Sequence, residues 1–477
     1  MAVWEIKMID VRDYPNISTP MSFFEAISKI PRGSGNTRGI ADYLVGFAKE
    51  RGLFVKRDGA DNVIIKKAAT VGLESRPTVV LQGHTDIVAE KVAGCLKDME
   101  KEGVDIYRDG DSIRARGTTL GADDGVAVAY MLALLDSRDI PHPAIEAVFT
   151  SDEETGLIGA KAICPEDISG RIMINLDSGE DGIFTAGCAG GIRADVSLPI
   201  KRDGKVNTAY SLSLLGLLGG HSGVEIDKGR ANAVKVIAEL LSRLPDLKLI
   251  SLSGGNADNA IPREAEAVFT TSAKPCEETL SALAKELCPD EEVRLVVKEV
   301  TTDESAVTKE DSSVIISLVR SMPTGVVAMS KDIDGLVETS LNVGVIRLFD
   351  SELSLTVSLR SSVGKSKLAL LERVTEVAAS HGARVNAHSE YPAWEYRRES
   401  HLREVTLASY ERIFGKRAEV VVIHAGLECG IFSDKLKGLD CLSFGPAHYD
   451  IHTPDEHLSV SSFSKTWELL LDVLKNI

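Results

Sequence analysis

Three apolar stretches, each running straight into acidic residues or a histidine-x-acid triplet, constrain this chain more than any other feature. Thr78-Val79-Val80-Leu81 follows Pro77 and leads through Gln82-Gly83 to His84-Thr85-Asp86. Ile145-Glu146-Ala147-Val148-Phe149-Thr150 leads to Ser151-Asp152-Glu153-Glu154-Thr155-Gly156, and Arg171-Ile172-Met173-Ile174-Asn175-Leu176 to Asp177-Ser178. Short β-branched apolar runs bounded by turn residues read as buried strands. Segments of helix length separate them, which predicts an α/β fold with helices on a central sheet. In such sheets ligands bind beyond the carboxyl ends of the strands, where these acids fall.

Gly121-Ala122-Asp123-Asp124-Gly125 opens a helix over residues 126–135 that is apolar on every face, the pattern of a buried helix. One acid there serves as a cap and dipole partner. Two near a core repel unless a cation lies between them. His84 and Asp86, two apart in extended chain, leave the same face. The pair suits a metal-ligating histidine held by an acid, or an ordinary polar strand end. Three of the chain's ten histidines, His448, His452 and His457, fall between the last strand and the last helix.

A chain of 477 residues exceeds one core, so more than one domain is expected. Composition shifts near Gly190-Gly191 and returns near Pro392 and Trp394. We read residues 1–191 and 392–477 as one discontinuous domain, with residues 192–391 inserted as a second, α+β domain. Residues 1–7 lack the layout of a signal peptide, and no apolar run reaches the length of a membrane span. Seven cysteines without close pairs argue for reduced thiols and a cytoplasmic setting. A net charge of −17 argues against nucleic-acid partners.

Competing chemistries lack their motifs. There is no Gly-x-Ser-x-Gly elbow, no Cys-x-x-Cys pair, no P-loop and no strand-borne Gly-x-Gly-x-x-Gly. A His/carboxylate set without cysteine suits zinc or a similar divalent ion, and three carboxylates suit two ions better than one. If Asp123, Glu154 and Asp177 join two neutral histidines, two dications keep a net positive charge that acidifies a shared water. Glu153 is then free to take that water's proton.

These residues resemble the M20 metallopeptidases, through His84-Thr85-Asp86, Gly121-Ala122-Asp123-Asp124-Gly125, Glu153-Glu154, Asp177-Ser178 and His452-Thr453-Pro454-Asp455-Glu456. Within them the chain is similar to the aminoacyl-histidine, or cytosol non-specific, dipeptidases. That likeness runs over nearly the whole length, including Gly187-Cys188-Ala189-Gly190-Gly191, the Asn259 to Ala265 stretch and Ile423-His424-Ala425-Gly426-Leu427-Glu428. The resemblance implies a zinc-peptidase-like catalytic domain with a central mixed sheet, and an inserted lid and dimerisation domain. It implies two divalent ions, zinc with manganese and cobalt as alternatives. His84, Asp123 and Asp177 hold one, and Asp123, Glu154 and His452 the other. Asp86 would orient His84, Glu153 would be the general base and acid, and His221 would stabilise the oxyanion. Asn259 and Arg360 would grip the substrate carboxylate, while Glu428 either meets the ammonium group or pairs within the fold. The implied reaction is hydrolysis of dipeptides by a homodimer without nucleic acid or membrane partners; removal of N-acyl groups from amino acids is the alternative. Close members carry Asn where this chain has Asp124, and the pattern implies a cis peptide between Asp123 and Asp124.

Overall fold

The computed structural model describes residues 9–477, so the leader reading on residues 1–7 lies outside the described residues. The chain divides into two units. The first contains the described residues up to Gly187 with Tyr396–Val422 and Leu427–Ile477, and the second Cys188–Glu395 with Ile423–Gly426. The division falls a few residues outside the expected 192–391, and the short return at 423–426 was not anticipated.

The first unit is built on an eight-stranded mixed sheet. Its order is Phe54–Arg57, Val63–Lys67, Ile145–Thr150, Val79–His84, Ile172–Asn175, Asp440–Ser443, Ile183–Cys188 and Glu419–Ile423. The four central strands, from Ile145–Thr150 to Asp440–Ser443, run parallel. Their apolar side chains are buried except for Ile172, which is partly so, and this is why they lack the alternation of a half-exposed sheet. Register places His84 opposite Thr150 and Gln82 opposite Asn175, so the polar strand ends collect along one edge.

The strand Val79–His84 runs past Gly83, and Gly83 marks a close approach of backbone. A Cβ there would lie 2.3 Å from Ala127 Cβ and 2.4 Å from Asp124 Oδ2. Ala127 belongs to the helix Ala122–Asp136, which is buried from end to end except at Asp123 and Asp136. Its first turn is irregular: Asp123 and Asp124 have non-helical dihedrals, and the peptide between them is cis. The helix packs on Val79–His84 and on the helix Ser18–Ser28. Tyr130 donates from its hydroxyl to the Phe463 carbonyl at 2.6 Å and stacks on Phe463 and Trp467 of the closing helix Val460–Asn476.

The second unit carries a nine-stranded antiparallel sheet. Helices Ala233–Leu241, Glu277–Leu287, Lys309–Ser321 and Gly364–Ser380 pack against its strands around a separate apolar core. No helix among the described residues is long and apolar enough to cross a membrane.

Candidate metal centre

Strand ends, the start of one helix and one late loop bring five of the expected residues together in the first unit. His84, Asp123 and Asp177 offer ligand atoms within 4.8 Å of one another, and so do Asp123, Glu154 and His452. His84 Nε2 lies 3.0 Å from Asp123 Oδ1 and 4.0 Å from Asp177 Oδ1. His452 Nε2 lies 3.3 Å from Asp123 Oδ2 and 2.9 Å from Glu154 Oε1. Asp123 thus turns one oxygen to each histidine. Asp124 points away: its carboxylate accepts from the His84 and Ala127 amides. Glu153 forms a third overlapping group with His84 and Glu154.

His84 Nδ1 donates to the Asp86 carbonyl at 3.1 Å, which leaves Nε2 free to face the acids. The Asp86 carboxylate stands farther from that nitrogen, at 3.5 Å. It accepts instead from Ser34 Oγ at 2.8 Å, Glu153 N at 3.0 Å and Glu154 N at 3.3 Å. Asp86 therefore braces the two glutamates as well as the histidine. Of the C-terminal histidines, His452 alone touches these acids. His448 is buried on the short strand His448–Tyr449, and His457 donates to the Asp455 carbonyl beside Tyr449.

The electrostatics have the form of a site that wants positive charge. Burial, with Asp123 and Asp124 nearby, raises Asp177 well above the carboxylate range. Burial also lifts Glu153 to about 8, helped by Glu428 and Glu154. Hydrogen bonds that His452 donates to Asp123 and Glu154 lift it to about 10. Like charges this close cannot all ionise without a cation among them. An all-nitrogen-and-oxygen donor set without thiolate fits zinc, manganese or cobalt. The residues present fit two divalent ions.

Glu428 is fully buried. Its Oε2 accepts from Gln82 Nε2 at 2.5 Å and Thr150 Oγ1 at 2.7 Å, while Oε1 has no hydrogen-bond partner among the described residues. Burial raises its carboxyl to about 7.

The remaining expected residues belong to the second unit. His221 Nδ1 accepts from the Gly223 and Val224 amides, both at 3.2 Å, so its proton sits on Nε2. Burial and the Arg360 charge keep the ring neutral. Arg360 Nη1 donates to the Tyr391 hydroxyl at 3.1 Å, and its buried Nε has no partner among the described residues. Gly191 lies opposite both residues in register, and a Cβ on it would sit 2.5 Å from the Tyr391 ring. Asn259 offers its carbonyl to the Ser222 amide at 2.8 Å. Tyr391 was not singled out from the sequence, nor was His424, whose Nε2 meets Ser340 Oγ at 2.7 Å. Strand register brings Tyr391 near Arg360 through Gly191, and His424 reaches Ser340, the register partner of Arg360.

The model of peptidase family M20/M25/M40 matches residues 80–476. A cytosol non-specific dipeptidase of Escherichia coli (strain K12) is 36% identical over 467 residues, 95% of this chain and 96% of that protein. The crystal structure of aminoacylhistidine dipeptidase from Vibrio alginolyticus superposes with a TM-score of 0.89 at 35% identity, covering 96% of each chain. Aminopeptidase PepT from Bacillus cereus ATCC 10987 shares the fold at TM-score 0.55 and 16% identity, over 98% of this chain and 99% of that one. The chain belongs to peptidase family M20/M25/M40.

Proposed function

We propose that this chain hydrolyses the peptide bond of dipeptides with free termini, Xaa-His among them, at a centre of two divalent ions. One observation carries the reading: two ligand triads share Asp123, with Glu153 beside them. The relatives named as dipeptidases support it. His84, Asp123 and Asp177 would hold one ion, and Asp123, Glu154 and His452 the other; zinc is the first choice, manganese and cobalt the alternatives. When bound, the ions polarise the peptide carbonyl and lower the pKa of water between them.

The chain's own groups do the rest. Glu153, which burial lifts to about 8 without cations, would take a proton from water as a carboxylate once divalent ions held by the triads lowered it. Once protonated, it delivers that proton to the leaving amine. Asp86 holds the Glu153 amide and so fixes where that carboxylate begins. His221, neutral with its proton on Nε2, has the form of an oxyanion donor. Arg360 and Asn259 would hold the substrate's terminal carboxylate, and the unpaired Oε1 of Glu428 its ammonium group. The second unit would act as lid and dimerisation surface, in a cytoplasmic enzyme without nucleic-acid or membrane partners.

The test is a panel of dipeptides and their N-acetylated forms, assayed after chelator stripping and reloading with zinc, manganese or cobalt. Free dipeptides are cleaved by wild type. Glu153→Gln loses about 10²–10⁴-fold in kcat with unchanged metal content. Faster turnover of the N-acetylated forms would establish the deacylase alternative instead.

A further inference from the structure

Two buried, oppositely charged side chains stand behind the metal centre without belonging to either ligand triad. Arg32 and Glu456 are each 2% exposed. Arg32 donates from Nη1 to the Thr85 carbonyl at 2.9 Å and from Nη2 to the Gly121 carbonyl at 2.7 Å. Glu456 Oε2 accepts from the Leu120 and Gly121 amides, both at 2.8 Å. Its Oε1 accepts from the Ala122 amide at 2.8 Å and the Asp123 amide at 3.3 Å. The segment 120–123 is thus held by its donors and its acceptor at once. The molecule makes room for this: a Cβ on Gly121 would lie 3.0 Å from Arg32 Nη2, and one on Gly125 2.5 Å from it.

A helix start leaves amides without partners, and one nearby serine or aspartate ordinarily serves there. Here the carboxylate comes from the far end of the chain and reaches the amide of Asp123 itself. It also lies four residues after His452, on the same loop. Arg32 in turn fastens Thr85, between His84 and Asp86. Three ligand-bearing segments, remote in sequence, meet at these two side chains. Ligand distances tolerate errors of only about 0.2 Å, so the segments must be placed before an ion arrives.

We infer that Arg32 and Glu456 are positioning residues: a clamp that sets the spacing of His84, Asp123 and His452 and thereby the centre's affinity for divalent cations. The inference rests on the dimetal reading above. In E456Q the carboxamide turns N–H groups toward backbone N–H groups, so bonds to one side of segment 120–123 are lost. R32K leaves the four bonds of Glu456 in place but removes the fork that joins Thr85 to Gly121.

The test titrates zinc into chelator-stripped, full-length wild type, E456Q and R32K against a competing chelator at 25 °C. Calorimetric melting of the stripped proteins runs in parallel. Wild type binds two ions, and each folded variant shows a dissociation constant raised about 10–100-fold for at least one of them, the usual cost of losing an outer partner of a metal ligand. Unchanged dissociation constants, with or without a lower Tm, would mean that both residues only cap the fold, and would overturn the inference. If E456Q does not fold, R32K decides: weakened zinc binding supports the clamp and wild-type binding refutes it. Failure of wild type itself to bind two ions would sink the dimetal reading, and the clamp with it.

Discussion

Gly83 carries no side chain because the helix Ala122–Asp136 leaves no room for one. A Cβ would enter the space of Ala127 and Asp124, both on buried backbone, so neither neighbour can swing aside as a long side chain would. Gly83→Ala should therefore cost about 1–3 kcal/mol of stability, the usual price of overpacking a core. Urea denaturation of the stripped protein measures it, and a change within experimental error would contradict the packing described. At this scale the sequence was uneven. His84, Glu153, Glu154 and Asp177 stood out because polar residues directly after apolar strands are chemically conspicuous, and Asp123 because it opens an all-apolar helix. Arg32 did not: Pro31-Arg32-Gly33-Ser34 looks like any surface loop, and its partners Thr85 and Gly121 become neighbours only in the folded chain. Asp86 was legible as a brace, though its carboxylate turned out to serve the glutamate amides more closely than the imidazole.

The helix Ala122–Asp136 is the element on which the first unit turns. Its tyrosine is the test of how it is held. Tyr130 is fully buried, stacked on Phe463 and Trp467 and hydrogen-bonded to the Phe463 carbonyl. Tyr130→Phe keeps the stack and loses one buried bond, at about 1 kcal/mol. Tyr130→Ala also opens a cavity between two helices, at about 3–5 kcal/mol. Equal losses in the two variants would show that the hydroxyl, not the ring, carries the contact. The burial of this helix could be read from an all-apolar sequence, because no other setting tolerates one. Its irregular start is not marked by residue type, since Asp123 and Asp124 are ordinary helix-N-terminal residues; only the family resemblance implied the cis peptide that the structure has. Their non-helical backbone belongs to the site rather than to helix propensity.

Across the whole molecule, acid should weaken the second unit through His424. Burial, with the Arg360 charge nearby, lowers this ring to about 4 from an ordinary 6.5, against the opposing pull of the Val337 carbonyl. A depressed folded pKa means that the unfolded chain binds the proton first. Stability is then full above 6.5 and is lost as pH falls toward 4, on the order of 3 kcal/mol in all. Denaturation curves at pH 7 and pH 4 should show that loss in wild type and its absence in His424→Gln; parallel curves would refute it. A second segment was expected because the strand-and-helix style changes after residue 191, and the division into two units falls a few residues from that point. The return at 423–426 was not, because four residues carry no compositional signal. The interleaving has a consequence for how the protein is made. Strand Asp440–Ser443 lies inside the sheet, between Ile172–Asn175 and Ile183–Cys188, and His452 and Glu456 follow it. A ribosome must release the chain beyond residue 443 before the sheet can close, and beyond residue 452 before the candidate ligand set can. Until then Asp123, Glu154 and Asp177 wait without His452, so a nascent chain or a C-terminally clipped one carries the acids of the centre without the means to complete it.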